Sequence, residues 1–125
     1  MGEMLPPAVA RSITAALTGI WAGAFGKGPD AARTYLNDDN IVVVFHGGLL
    51  VYEQTLIEAG DREAVRTVRY RFEQHLAPQL IRAVEAATGR RVAAYDSHML
   101  FGPTRTFELF VVEDADGRRA DATAP

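Results

Sequence analysis

The sequence predicts an α+β fold: two β-hairpins forming an antiparallel sheet with helices on one face, in the order α-β-β-α-α-β-β. Three observations carry this. Two long stretches repeat apolar residues every three or four positions, the period of a helix with one buried side. Two pairs of β-rich runs are each joined by a short cluster of turn residues, as in a hairpin. Helices and hairpins that alternate in this way segregate into a helical layer and a sheet.

The first helix is read from Val9, Ile13, Ala16, Leu17, Ile20, Trp21, Ala24 and Phe25, one apolar stripe. Residues 1–6 read as a loose end, and Pro6 and Pro7 suit a helix start, because the first turn leaves its N–H groups unpaired anyway. Gly26 and Gly28 stop the helix, and Lys27 lies at the negative end of its dipole. The run Gly26-Lys27-Gly28-Pro29 also raises the question of a phosphate-binding loop. Such a loop follows a strand, precedes a helix and places Ser or Thr after its lysine. Here a helix comes first, a strand follows, and a helix C-terminus repels anions. The run is a helix stop.

"ARTYL" and "NIVVVFHG" are strand-like, and Asn37-Asp38-Asp39-Asn40 between them predicts a turn. The run Ile41–Phe45 is apolar on both sides, so it calls for cover on both faces of its sheet. One helical layer covers one face. A second subunit is the expected second cover, which makes the protein a homodimer with Ile41, Val43 and Phe45 as interface candidates.

Gly47-Gly48 closes that strand, and a short helix is expected from about Val51 to Ala59, ended by Gly60. Asp61 caps the next helix. Its stripe is Val65, Val68, Phe72, Leu76, Leu80, Ile81 and Val84, and Pro78 within it predicts either a kink or a break. "RRVAAYDSHML" and "TFELFVVED" form the second hairpin around Phe101-Gly102-Pro103-Thr104. Residues 1–113 are expected to be a single domain, and residues 114–125, without an apolar stripe, a disordered tail.

Composition bounds the function. The chain has 125 residues, a net charge of −3 and no cysteine, so disulfides and thiolate metal sites are excluded. That charge gives no global attraction to nucleic acid or anionic lipid. The N-terminal stretch lacks a basic n-region and reads as too polar to span a membrane. Pro6 stands where a myristoylation signal wants Ser or Thr. A cytoplasmic protein that does not insert into the membrane is expected.

No catalytic motif is present. Asp38 and Asp39 read as turn residues, because a calcium loop needs spaced ligands and a downstream Glu. His46 and His98 lie on predicted strands or strand ends and could meet across the sheet, where with a nearby carboxylate such as Asp96 they would make a metal or proton-transfer site. Arg62, Arg66 and Arg69 recur at helical spacing; with Glu63 interspersed and Glu73 four residues after Arg69, they read as a solvated face with ion pairs. Few aromatics interleave with them, so nucleic acid is not an expected partner.

Taken together, "GKGPDAARTYLNDDNIVVVFHGGL", "EQTL" and "APQLIRAVEAATGRRVAAYDS" resemble the MpsC-like family of small bacterial domains. The resembling blocks run in order over roughly residues 11–113. The resemblance implies an association with a sodium-translocating, membrane-potential-generating system. It brings no agreed catalytic residues. The leading expectation is therefore a non-enzymatic accessory or regulatory domain, without cofactor or metal, that associates with itself and with a membrane-transport protein. The alternative is a small-ligand binder or minor enzyme with a site near Lys27, Asp38, Asp39, His46 and His98.

Overall fold

The computed structural model describes residues 5–114. The tail expected to be disordered lies outside them except for Asp114, as do the first four residues of the expected loose end. Three helices and four strands follow one another in the order α-β-β-α-α-β-β, and all strand pairings are antiparallel.

Helix α1, Pro7–Phe25, opens on its proline and ends at Gly26, whose φ of 75° lets its N–H reach the Ala22 carbonyl at 2.9 Å. It buries Ile13, Leu17 and Trp21, four residues apart. By length and composition α1 is apolar enough to cross a membrane, with a mean hydropathy of 1.2, which corrects the reading of this stretch as too polar. In the fold its apolar stripe packs into the core.

Strands β1, Ala31–Asn37, and β2, Asn40–His46, form a hairpin closed by two residues, with Asp38 left-handed at a φ of 56°. The turn is tighter than the four residues predicted, because Asn37 and Asn40 pair as the last rung of the ladder. Helix α2, Val51–Glu58, is short and is followed by Gly60. Helix α3, Arg62–Thr88, is capped by Asp61 Oδ1, which accepts the Ala64 N–H at 3.3 Å. It runs unbroken through Pro78 to Gly89. Strands β3, Val92–Leu100, and β4, Arg105–Val112, form the second hairpin.

The sheet order is β1-β2-β4-β3, so β2 and β4 join the two hairpins at the centre. Helices α1 and α3 pack on each other, α1 over β1 and α3 over β3. Between helices and sheet lie Ile13, Leu17 and Trp21, Ile41, Val43 and Phe45, Leu76, Leu80 and Val84, and Phe110 and Val112. Ile41, Val43 and Phe45 are therefore not interface residues. Alternation along a strand sends them to the helix side, and Val42 and Val44 to the other.

The buried stripe of α3 also differs from the expectation. It is Val65, Arg69, Glu73, Leu76, Leu80 and Val84. Val68 and Phe72 remain 49% and 39% exposed. Both stripes have helical spacing; the helix turns the charged one inward because partners await it there.

Candidate functional site

The most unusual chemistry is a chain of charged side chains beneath the helices. Gly47 and Gly48 leave β2 with φ values of 62° and 76°, which turns the chain sharply into α2. Glu53 then falls in the first turn of α2 and accepts the Leu50 N–H at 2.8 Å. Its carboxylate takes Arg69 in a fork: Nε donates to Oε2 at 2.5 Å and Nη2 to Oε1 at 2.7 Å. Nη2 also donates to the Gly48 carbonyl at 3.0 Å. The guanidinium lies 4.1 Å from the Phe25 ring centroid and 4.9 Å from that of Trp21. Both partners are only 1% exposed, so the expectation of a solvated Arg69 paired with Glu73 is overturned. Its companions Arg62 and Arg66 do remain at the surface, where Arg66 pairs with Glu63.

One turn further along α3, Glu73 meets Glu108, the inward residue at the middle of β4. Tyr95 donates its hydroxyl to Glu108 Oε1 at 2.6 Å. Burial, the largest cause, pushes both carboxyls up, Glu108 well above the usual carboxylate range. The hydrogen bond with Glu73 raises Glu108 further, while the same bond and the charge of Arg69 lower Glu73. Burial and the closeness of two like charges thus favour one proton between the two carboxyls. Tyr95 is raised as well, by burial and then by the Glu108 charge.

Above this pair, a cleft of about 440 Å³ opens between α3 and β3, lined by Arg69, Tyr70, Glu73, Ser97 and His98 among others. Among the described residues, Arg69 Nη1 and Glu73 Oε1 are buried without a hydrogen-bond partner. Buried polar atoms are normally paired. The arrangement can hold a proton at a pH where exposed carboxylates are ionised, and it offers one donor and one acceptor beside a cleft.

From the sequence Arg69 and Glu73 read as part of a solvated charged face, and Glu53, Glu108 and Tyr95 are not singled out. One signal was available: Glu108 shares a strand face with Thr106, Phe110 and Val112, the face that carries the core. Arg69 and Glu73, four apart on a helix, carry the ordinary pattern of a surface ion pair.

The five sequence candidates do not converge. Lys27 Nζ donates to the Leu49 carbonyl at 3.2 Å, tying the end of α1 to the entry of α2. Asp38 sits at the tip of the β1–β2 turn, and the Asp39 carbonyl accepts the Val112 N–H at 2.9 Å. His46 is at the other end of β2, roughly 20 Å from that turn at the usual strand rise. His98 lies on β3 with β4 between it and β2, and its Nε2 is 3.3 Å from Asp96 Oδ2.

Among the described residues, the side of the sheet away from the helices is open. The strand registers arrange its residues in rows across β1, β2, β4 and β3: Ala31, His46, Arg105, Leu100; then Arg33, Val44, Phe107, His98; then Tyr35, Val42, Leu109, Asp96; then Asn37, Asn40, Val111, Ala94. The two central strands thus carry Val42, Val44, Phe107, Leu109 and Val111 in one patch.

The molecule is a small α+β domain with one sheet face under helices and a buried acid pair, the other face apolar at its centre, polar at its border and uncovered by the described residues. The family model for the Na+-translocating membrane potential-generating system (MpsC) matches residues 8–114, and the chain belongs to that family. Neither a curated protein nor a solved structure matches it.

Proposed function

We propose that this chain is a non-enzymatic accessory domain of a Na+-translocating, membrane potential-generating system, working in the cytoplasm through protein–protein association. The observation that carries this reading is the open sheet face. Five aliphatic and aromatic side chains on β2 and β4 lie together, and no layer of the described residues lies over them. A contiguous apolar patch on a folded domain marks an association surface. The family to which the chain belongs supplies the system, and a membrane-transport component of it is the partner proposed. Because the stripe of α1 is engaged in the core, the domain reaches that system by docking rather than by insertion.

The test is physiological. In source cells lacking this chain, the sodium-dependent build-up of membrane potential, followed with a voltage-sensitive dye, is expected to fall. The wild-type chain restores it and Phe107→Glu does not. An unchanged potential in the deleted cells would remove the reading.

A further inference from the structure

We infer that the cleft between α3 and β3 binds a small neutral molecule that carries a primary amide or a lactam. The site lies beyond the association role proposed above and uses none of the open sheet face.

Two polar atoms without partners are the motive. Arg69 and Glu73 both line the cleft, and they are only 1% and 3% exposed. Arg69 commits Nε and Nη2 to Glu53 and the Gly48 carbonyl, which leaves Nη1. Glu73 reaches Glu108 and keeps Oε1 unpaired. Buried polar atoms left so among the described residues call for water, an ion or a ligand to complete them. The cleft beside them holds about 440 Å³, within the range of small-molecule sites. Arg66 bridges its two walls, donating from Nε to the Met99 carbonyl at 3.3 Å. Tyr70 gives the α3 wall an aromatic ring against which a flat ligand can stack. That side chain is 46% exposed, and an exposed side chain of this kind turns readily to admit a ligand to the atoms beneath.

Chemistry narrows the ligand. Arginine only donates and an ionised carboxylate only accepts, so the ligand must bring an acceptor and a donor together. Residues four apart on a helix are neighbours on one face, so one functional group can supply both. Charge decides against ions. Glu53 already balances Arg69, and one proton between Glu73 and Glu108 leaves that pair negative. A carboxylate or phosphate in the cleft would face Glu73, and an ammonium would face Arg69. Each would leave one atom unpaired beside a like charge. An amide avoids both: its oxygen accepts from Arg69 Nη1 and its N–H donates to Glu73 Oε1. In a primary amide or a lactam the two groups share one edge. In a trans peptide bond they point apart, so a peptide is not the ligand.

Proton–nitrogen NMR spectra of the full chain, titrated with benzamide, provide the test. Saturable shifts are expected at Thr67, Tyr70, Ser97 and Met99, with a Kd of about 1 mM or tighter for a ligand of one ring. Benzoate lacks the donor, benzylamine lacks the acceptor, and N-methylbenzamide blocks the shared edge. Each is expected to bind about tenfold more weakly or worse. Thr67→Phe, at an exposed position on the cleft wall, fills the space and abolishes the shifts while the rest of the spectrum is kept. Arg69 and Glu73 hold the fold, so the probe series examines them rather than their removal. No saturation by about 10 mM benzamide overturns the inference, and so do shifts that persist in Thr67→Phe. Benzoate, benzylamine or N-methylbenzamide binding as tightly as benzamide overturns the amide class. None of these results touches the membrane-potential assay, so the accessory role and the cleft ligand stand or fall separately.

Discussion

Glu108 is the residue through which pH reaches stability. Its carboxyl is buried, hydrogen-bonded to Tyr95 and Glu73, and raised well above its ordinary value. The folded state therefore holds a proton that the unfolded chain releases. Stability is full below the ordinary carboxylate range and is lost as pH rises through the folded pKa. Glu108→Gln keeps the acceptor for Tyr95 and a donor for Glu73 without the titration. Thermal unfolding between pH 5 and 9, a range of about four units over which carboxylates of this kind respond, is expected to show a falling Tm in the wild type. The variant should have a flatter profile and the higher Tm at the alkaline end; equal slopes would contradict the shared proton. Arg69 carries a different cost. Arg69→Met leaves Glu53 buried without a counter-charge, and breaking such a pair costs about 3–5 kcal/mol. Urea denaturation reads the loss, and Glu53→Gln added to Arg69→Met should recover part of it, because glutamine still accepts the Leu50 N–H.

At the scale of the element, α3 shows how far periodicity carries. The helix, its Asp61 cap and its Gly89 stop are plain in the sequence. The side it buries is not, because Val65-Val68-Phe72 and Val65-Arg69-Glu73 are equally good helical stripes over the first half. Hydrophobicity favours the first; Glu53 and Glu108, waiting on α2 and β4, decide for the second. Pro78 is a further case. It lies on the exposed side of an unbroken helix and deprives the Gln74 carbonyl of its donor. Pro78→Ala restores that bond, offset in part by a freer unfolded chain. A net gain of about 1 kcal/mol is expected, read as a higher urea midpoint with an unchanged m value. A lower midpoint would mean that the proline ring itself packs.

At the scale of the molecule, the described residues put one helical layer on one face of the sheet and leave the apolar centre of the other face open. The bare apolar run Ile41–Phe45 already implied a second cover. Which residues would meet it depends on parity within the sheet, and parity is set by pairing: Val43 opposite Thr34 and Glu108 on the inside, Val44 opposite Arg33 and Phe107 on the outside. The same registers scatter the five polar candidates. Asp38 lies at one end of the β1–β2 hairpin and His46 at the other, while Lys27 bonds to a carbonyl at the mouth of α2.

The sequence by itself determined the α+β class, the order and approximate ends of every helix and strand, and the family, because local periodicity, glycine stops and turn residues act over a few positions. Only the tertiary structure decided which face of each element is inside, and with it the Glu53–Arg69 fork, the Glu73–Glu108 pair and the outward rows of β2 and β4. Those depend on contacts between residues far apart in the chain, where a buried arginine and a surface arginine are written with the same letter.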